Sequence, residues 1–155
     1  MDSTVQRRCL LAVDGSKHSE LALKWYKDNV YKPGDKVFMT HSVDHRKHLT
    51  YGSVAMVHGN PDALTHAFAA EDKKSKELLD HYAKECKQLG IDDVELVRVS
   101  GEPGPGIVHA AQEKGVDLIV TGCRGLGQLR RTVLGSVSDY ILHHSDAPVF
   151  ICRHD

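Results

Sequence analysis

The chain has 155 residues, about one domain's worth, and at that size a fold buries roughly two thirds of its surface without a disulfide or metal staple. Hydrophobic residues at 41% and charged residues at 26% exclude a disordered chain. Twenty basic and 21 acidic side chains leave a net charge of −1, so there is no electrostatic case for nucleic acid or an anionic membrane as partner.

The elements follow in chain order. Arg7 and Arg8 precede the apolar run Cys9–Val13, which Asp14 ends before it reaches signal-peptide length. No apolar stretch approaches the roughly 18 residues of a membrane span, and the expected location is the cytoplasm. Four dispersed cysteines (Cys9, Cys86, Cys123, Cys152) without a CxxC pair read as buried, reduced thiols. Leu10 to Val13 is the core of a first strand, stopped by Asp14-Gly15-Ser16. Ser16 or Ser19 then caps a helix that places Trp25 and Tyr26 in the core. Pro33-Gly34-Asp35 turns into a second strand, Lys36 to Val43, and residues 44–60 form a polar excursion.

Asn60-Pro61 opens a long helix to Leu89, with Leu64, Phe68, Leu78, Tyr82 and Cys86 near one stripe and a solvated charged stretch from Glu71 to Glu77. Val94 to Val99 is the third strand. Pro103 to Gly106 reads as a stiff turn into a short helix ended by Gly115, and Asp117 to Thr121 as a buried fourth strand. Ser136 to Ser145 is the last helix and Pro148 to Cys152 the fifth strand. This alternation implies right-handed βαβ crossovers. The expected fold is therefore α/β: one doubly wound, Rossmann-like domain over residues 1–155, a five-stranded parallel sheet with helices on both faces. Ligands of such sheets sit beyond the carboxyl ends of the strands, where the winding reverses.

The segment after the fourth strand carries the chemistry. Gly122-Cys123-Arg124-Gly125-Leu126-Gly127 is followed by Gln128 to Leu134 and then Gly135-Ser136-Val137-Ser138. Glycines just after a buried strand allow positive φ and bring backbone N–H groups near a ligand. Gly135-Ser136 opens a helix whose free N–H groups favour an anion, and Arg124, Arg130 and Arg131 offer charge-assisted contacts. Gly101 to Gly106 has P-loop glycine spacing, but Ile107-Val108 stands where Lys-Ser/Thr is required, and no dinucleotide fingerprint completes itself. His41, His45 and His48 cluster around Asp44 without a known metal-ligand spacing and read as solvated loop histidines. Asp14 is either a turn-and-cap residue or a ligand-facing acid.

The spacing Gly-x2-Gly-x9-Gly-Ser resembles the nucleotide-binding signature of the universal stress protein family. Leu-Leu-Ala-Val-Asp-Gly-Ser resembles that family's first strand, His41 to Asp44 the end of its second, and Gly115 to Gly122 its fourth. Leu134 to Ser138 and Ala147 to Val149 resemble its closing helix and strand. The resemblance implies an ATP-binding regulatory protein of the stress response, with AMP and ADP as alternative ligands, and a homodimer made through the C-terminal strand Val149 to Cys152. Residue by residue, it puts Ala12, Val13 and Asp14 beside the adenosine, with Asp14 near the ribose or a phosphate-bound Mg²⁺. Gly122, Cys123, Arg124, Gly125, Leu126, Gly127 and Gln128 would line the ribose and phosphates, and Gly135, Ser136, Val137 and Ser138 the outer phosphates. Ser42, followed by Val43, stands where the family often has an apolar clamp on adenine. No nucleophile–base set is evident, so binding is the expectation; a slow metal-dependent ATPase and a nucleotide-free dimeric interaction module are the alternatives.

Overall fold

The computed structural model describes residues 5–45, 59, 62–124 and 134–154. Five strands, β1 (Arg8–Ala12), β2 (Lys36–Val43), β3 (Asp93–Ser100), β4 (Leu118–Arg124) and β5 (Val149–His154), form one sheet in the order β3-β2-β1-β4-β5. Every pairing is parallel, with Leu10 opposite both Phe38 and Ile119. The helices are α1 (Lys17–Asn29), α2 (Asp62–Gln88), α3 (Pro103–Lys114) and α4 (Ser136–His144). The expected doubly wound fold is the observed one. Among the described residues no helix is long and apolar enough to cross a membrane.

The two-residue period of a strand sorts the core into two layers. Cys9, Leu11 and Val13 point to one face, where they pack with Leu23 and Tyr26 of α1 and Leu79 and Tyr82 of α2. Leu10 and Ala12 point to the other, against Ile107 and Ala111 of α3 and Ile141 of α4. Both faces are covered, which is why the central strands are apolar throughout.

Several boundaries differ from the sequence reading, each for a local reason. Pro103 sits at the start of α3, so Pro103 to Gly106 is the helix's first turn and not a turn ahead of it. Proline is suited to that position because its missing N–H would have no helical partner. The strand β4 runs on to Arg124, pairing Gly122 with Cys152 and Cys123 with Arg153, beyond the expected end at Thr121. Tyr26 is fully buried as expected, but Trp25 is 36% exposed and meets Phe150 of β5 edge to face at 5.9 Å. The four cysteines are buried and free, and burial pushes the thiols of Cys86 and Cys152 up to about 12 and about 11.

At the amino ends of the strands a polar cluster is closed on itself. Asp35, 3% exposed, accepts both Nε and a terminal nitrogen of Arg7 at 2.9 and 2.6 Å, the Tyr26 hydroxyl at 2.9 Å and the Lys32 N–H at 3.0 Å. The same Arg7 nitrogen donates to the Val30 carbonyl at 2.7 Å. Burial alone would raise the Asp35 carboxyl, but these donors outweigh it and hold the group below its ordinary range.

Candidate functional site

The strand order shows where the winding reverses. From β1 the chain proceeds outward through β2 to β3, then restarts beside β1 with β4 and moves the other way. Loops leaving β1 and β4 therefore diverge and leave a crevice at their carboxyl ends. A cleft of about 200 Å³ lies there. Ala12, Val13 and Asp14 of the β1 end, Ser42 of β2, Gly122 of β4, and Val137 and Ser138 of α4 all line it. Seven residues singled out from four separate segments are thus brought together.

Asp14 is held firmly at the rim. Its Oδ1 accepts the Ser16 N–H at 2.9 Å and the Ser19 hydroxyl at 2.7 Å, and its own N–H donates to Ser19 Oγ at 3.0 Å. The turn-making alternative for this acid is what the hydrogen bonds show, and the residue also lines the cleft. Ser16 is the cap of α1, accepting the Ser19 N–H at 3.3 Å.

The head of α4 is built differently. Gly135 is its cap in an extended conformation and has no side chain to accept from the first turn; among the described residues no side-chain cap bond is made there. The opening amides of a helix need acceptors, and the dipole places partial positive charge there, so an anion is stabilised at such an end. The start of α3 also lacks a side-chain cap bond, but Pro103 and Pro105 remove two of its donors. Among the described residues, α4 combines a head without a side-chain cap bond, a full set of N–H groups and a place on the cleft.

The glycines divide into two kinds. Gly122 was read as a residue of a turn with positive φ; instead it is a strand residue, and the positive-φ glycines among the described residues are Gly15, Gly34, Gly90, Gly101 and Gly115. A Cβ at Gly122 would stand 2.6 Å from the His18 carbonyl oxygen and 2.8 Å from its carbon. Its missing side chain is therefore a packing requirement, letting α1 start directly over β4. A Cβ at Gly135 meets nothing within 4 Å. Among the described residues nothing requires glycine there.

Other candidate residues lie elsewhere. Val43 is buried beside the cleft, its carbonyl accepting the Gly101 N–H at 3.0 Å, and Cys123 is buried in β4. Arg124 ends β4, paired in register with His154, while Gly135 and Ser136 form the exposed start of α4. Gly125, Leu126, Gly127 and Gln128, together with Arg130 and Arg131, lie outside the described residues.

Ser19, His41, Thr121, Pro103 and Ile107 also line the cleft and are not among the residues the sequence singles out for it. Ser19 had a signal, since it was one of two candidate caps for α1. Ile107 had none, because its helical spacing says only that it faces inward.

The histidines are not simply solvated. His41 lines the cleft, and its Nδ1 is 2.7 Å from the hydroxyl of buried Ser75 in α2. His45 Nε2 is 3.1 Å from Asp72 and its ring stacks on Phe68 at 4.4 Å. The charged middle of α2 thus carries anchors for the end of β2, and the expectation of a wholly solvated stretch is corrected. His48 lies outside the described residues. Among the described residues no group of three or more His, Cys, Asp or Glu is arranged to hold a metal ion.

The fold and cleft define a doubly wound α/β domain with an anion-favouring helix end at its switch point. The family model described as the universal stress protein family matches residues 6–153, and the chain belongs to that family. It is similar to the universal stress protein YxiE of Bacillus subtilis, 31% identical over 94% of this chain and 98% of that protein. Another relative is the universal stress protein MJ0577 of Methanocaldococcus jannaschii, 27% identical over 97% of each chain. The solved structure of MJ0577 superposes with a TM-score of 0.77 at 25% identity over 96% of both chains. A universal stress protein family protein of Arabidopsis thaliana, solved with AMP bound, shares the fold with a TM-score of 0.70 at 19% identity over 96% of this chain and 92% of that one.

Proposed function

We propose that this chain binds an adenine nucleotide in the cleft between β1 and β4, ATP in the first place, as a regulatory module of the stress response. The observation that carries the reading is the head of α4: among the described residues it has no side-chain cap bond, opens on the cleft, and is started by a glycine whose Cβ would meet nothing within 4 Å. The phosphates take the N–H groups of Ser136, Val137 and Ser138, while the nucleoside lies toward Ala12, Val13 and Ser42. The AMP-bound relative of the same fold supports the choice of an adenine nucleotide.

A net charge of −1 suits this mode of binding, since backbone donors and a helix dipole hold phosphate without a basic patch. Asp14 is the one carboxylate among the described residues lining the cleft. One carboxylate completed by substrate phosphates is the donor set Mg²⁺ commonly accepts, so Asp14 would hold a nucleotide-bound Mg²⁺ and screen the phosphate charge. The partner for assembly is a second copy meeting the edge strand β5, where Phe150 is 41% exposed beside Trp25.

The test is calorimetric titration of ATP, ADP and AMP into the wild-type chain and into Gly135→Val. Binding by the wild type, weakened at least about tenfold in the variant, is expected if the α4 amides hold phosphate.

A further inference from the structure

Ser19 is 4% exposed, is the third residue of α1 and reaches the cleft wall. Its hydroxyl bonds Asp14 twice: it donates to Asp14 Oδ1 at 2.7 Å and accepts the Asp14 N–H at 3.0 Å. A hydroxyl has one proton and two lone pairs, so its single donor is committed to the carboxylate. The Ser16 N–H bonds the same oxygen, and two donors converging on one oxygen define the rotamer of the acid. Behind Ser19 lies α2, whose fully buried Tyr82 brings its hydroxyl near Ser19 without completing a hydrogen bond among the described residues.

We infer that Ser19 is a positioning residue of the cleft, fixing the Asp14 carboxylate in the orientation in which it meets the bound nucleotide. The inference rests on the nucleotide reading above. Asp14 makes the contact and Ser19 acts through it, so the effect of losing Ser19 must vanish when Asp14 is already absent.

A double-mutant cycle tests this, with Mg²⁺·ATP titrated into the wild type, Ser19→Ala, Asp14→Ala and the double variant, and thermal melting of each without nucleotide. Ser19→Ala is expected to weaken ATP about tenfold, and the double variant to bind no more weakly than Asp14→Ala alone. Losses that multiply in the double variant, or a Ser19→Ala protein that melts lower yet binds ATP normally, would show a purely structural serine and overturn the inference. If Ser19→Ala does not fold, Ser19→Cys takes its place in the cycle, keeping the volume but offering only a weak donor. A wild type that binds no ATP overturns the nucleotide reading itself and is distinct from either result.

Discussion

The two ends of the sheet treat their polar groups in opposite ways. At the amino ends Asp35 gathers Arg7, Tyr26 and Lys32, and Arg7 reaches on to the Val30 carbonyl. At the carboxyl ends the backbone donors opening α4 receive no side-chain cap, and they face a cleft. Buried polar groups left without partners are costly, so a fold closes them wherever it has no use for them. The closed end satisfies its own polar groups, and on the proposed reading a ligand supplies the missing acceptors at the open end. Even within the open end the division recurs, since α1 is capped by Ser16 while α4 is not.

The largest effect is expected from opening the closed end. Asp35→Ala strands the partly exposed Arg7 guanidinium and the buried Tyr26 hydroxyl and should cost about 3 kcal/mol in chemical denaturation, less than for a fully buried ion pair because solvent reaches Arg7. Nucleotide affinity of the folded fraction should stay unchanged. Because the folded-state pKa of Asp35 is depressed, its contribution is present above the ordinary carboxylate value of about 4 and disappears as pH falls through the folded value. Wild type should therefore lose stability on acidification over that window, and Asp35→Ala should lose less of it.

Gly122→Val comes next. The added side chain meets the His18 backbone, so a loss of about 1–3 kcal/mol is expected alongside any loss of ligand. That variant cannot separate packing from binding. Gly135→Val does separate them: its stability should change by about 1 kcal/mol or less, the scale of a cap substitution, while ATP binding falls. The smallest effect on the monomer belongs to Phe150→Glu. It should leave the melting temperature nearly unchanged and convert a dimer to a monomer in sedimentation if β5 is the shared edge.

Most of the open end was legible in the sequence, because strand ends, turn residues and helix starts leave local marks. Ala12, Val13, Asp14, Ser42, Gly122, Val137 and Ser138 were all placed there from spacing and resemblance, and they do line one cleft. The reason for Gly122 was not legible, since a glycine needed for a neighbouring helix looks the same in sequence as one needed for a phosphate. The closed end was hardly legible at all. Arg7 and Asp35 are 28 positions apart and meet only because β1 and β2 pair in a particular register. Asp35 read as a turn residue, and nothing local marks a turn aspartate as the acceptor of a buried network. Trp25 was misplaced for a related reason: helical spacing puts it near the buried face, but its exposure depends on where the edge strand β5 falls.

The central claim is that the uncapped head of α4 holds the phosphates. Its most direct test is titration of ATP into wild type and Gly135→Val at matched, verified folding. The account predicts saturable binding by the wild type and at least a tenfold loss, about 1.4 kcal/mol, in the variant. Equal affinity in the two proteins, or a wild type silent at millimolar ATP, would contradict it.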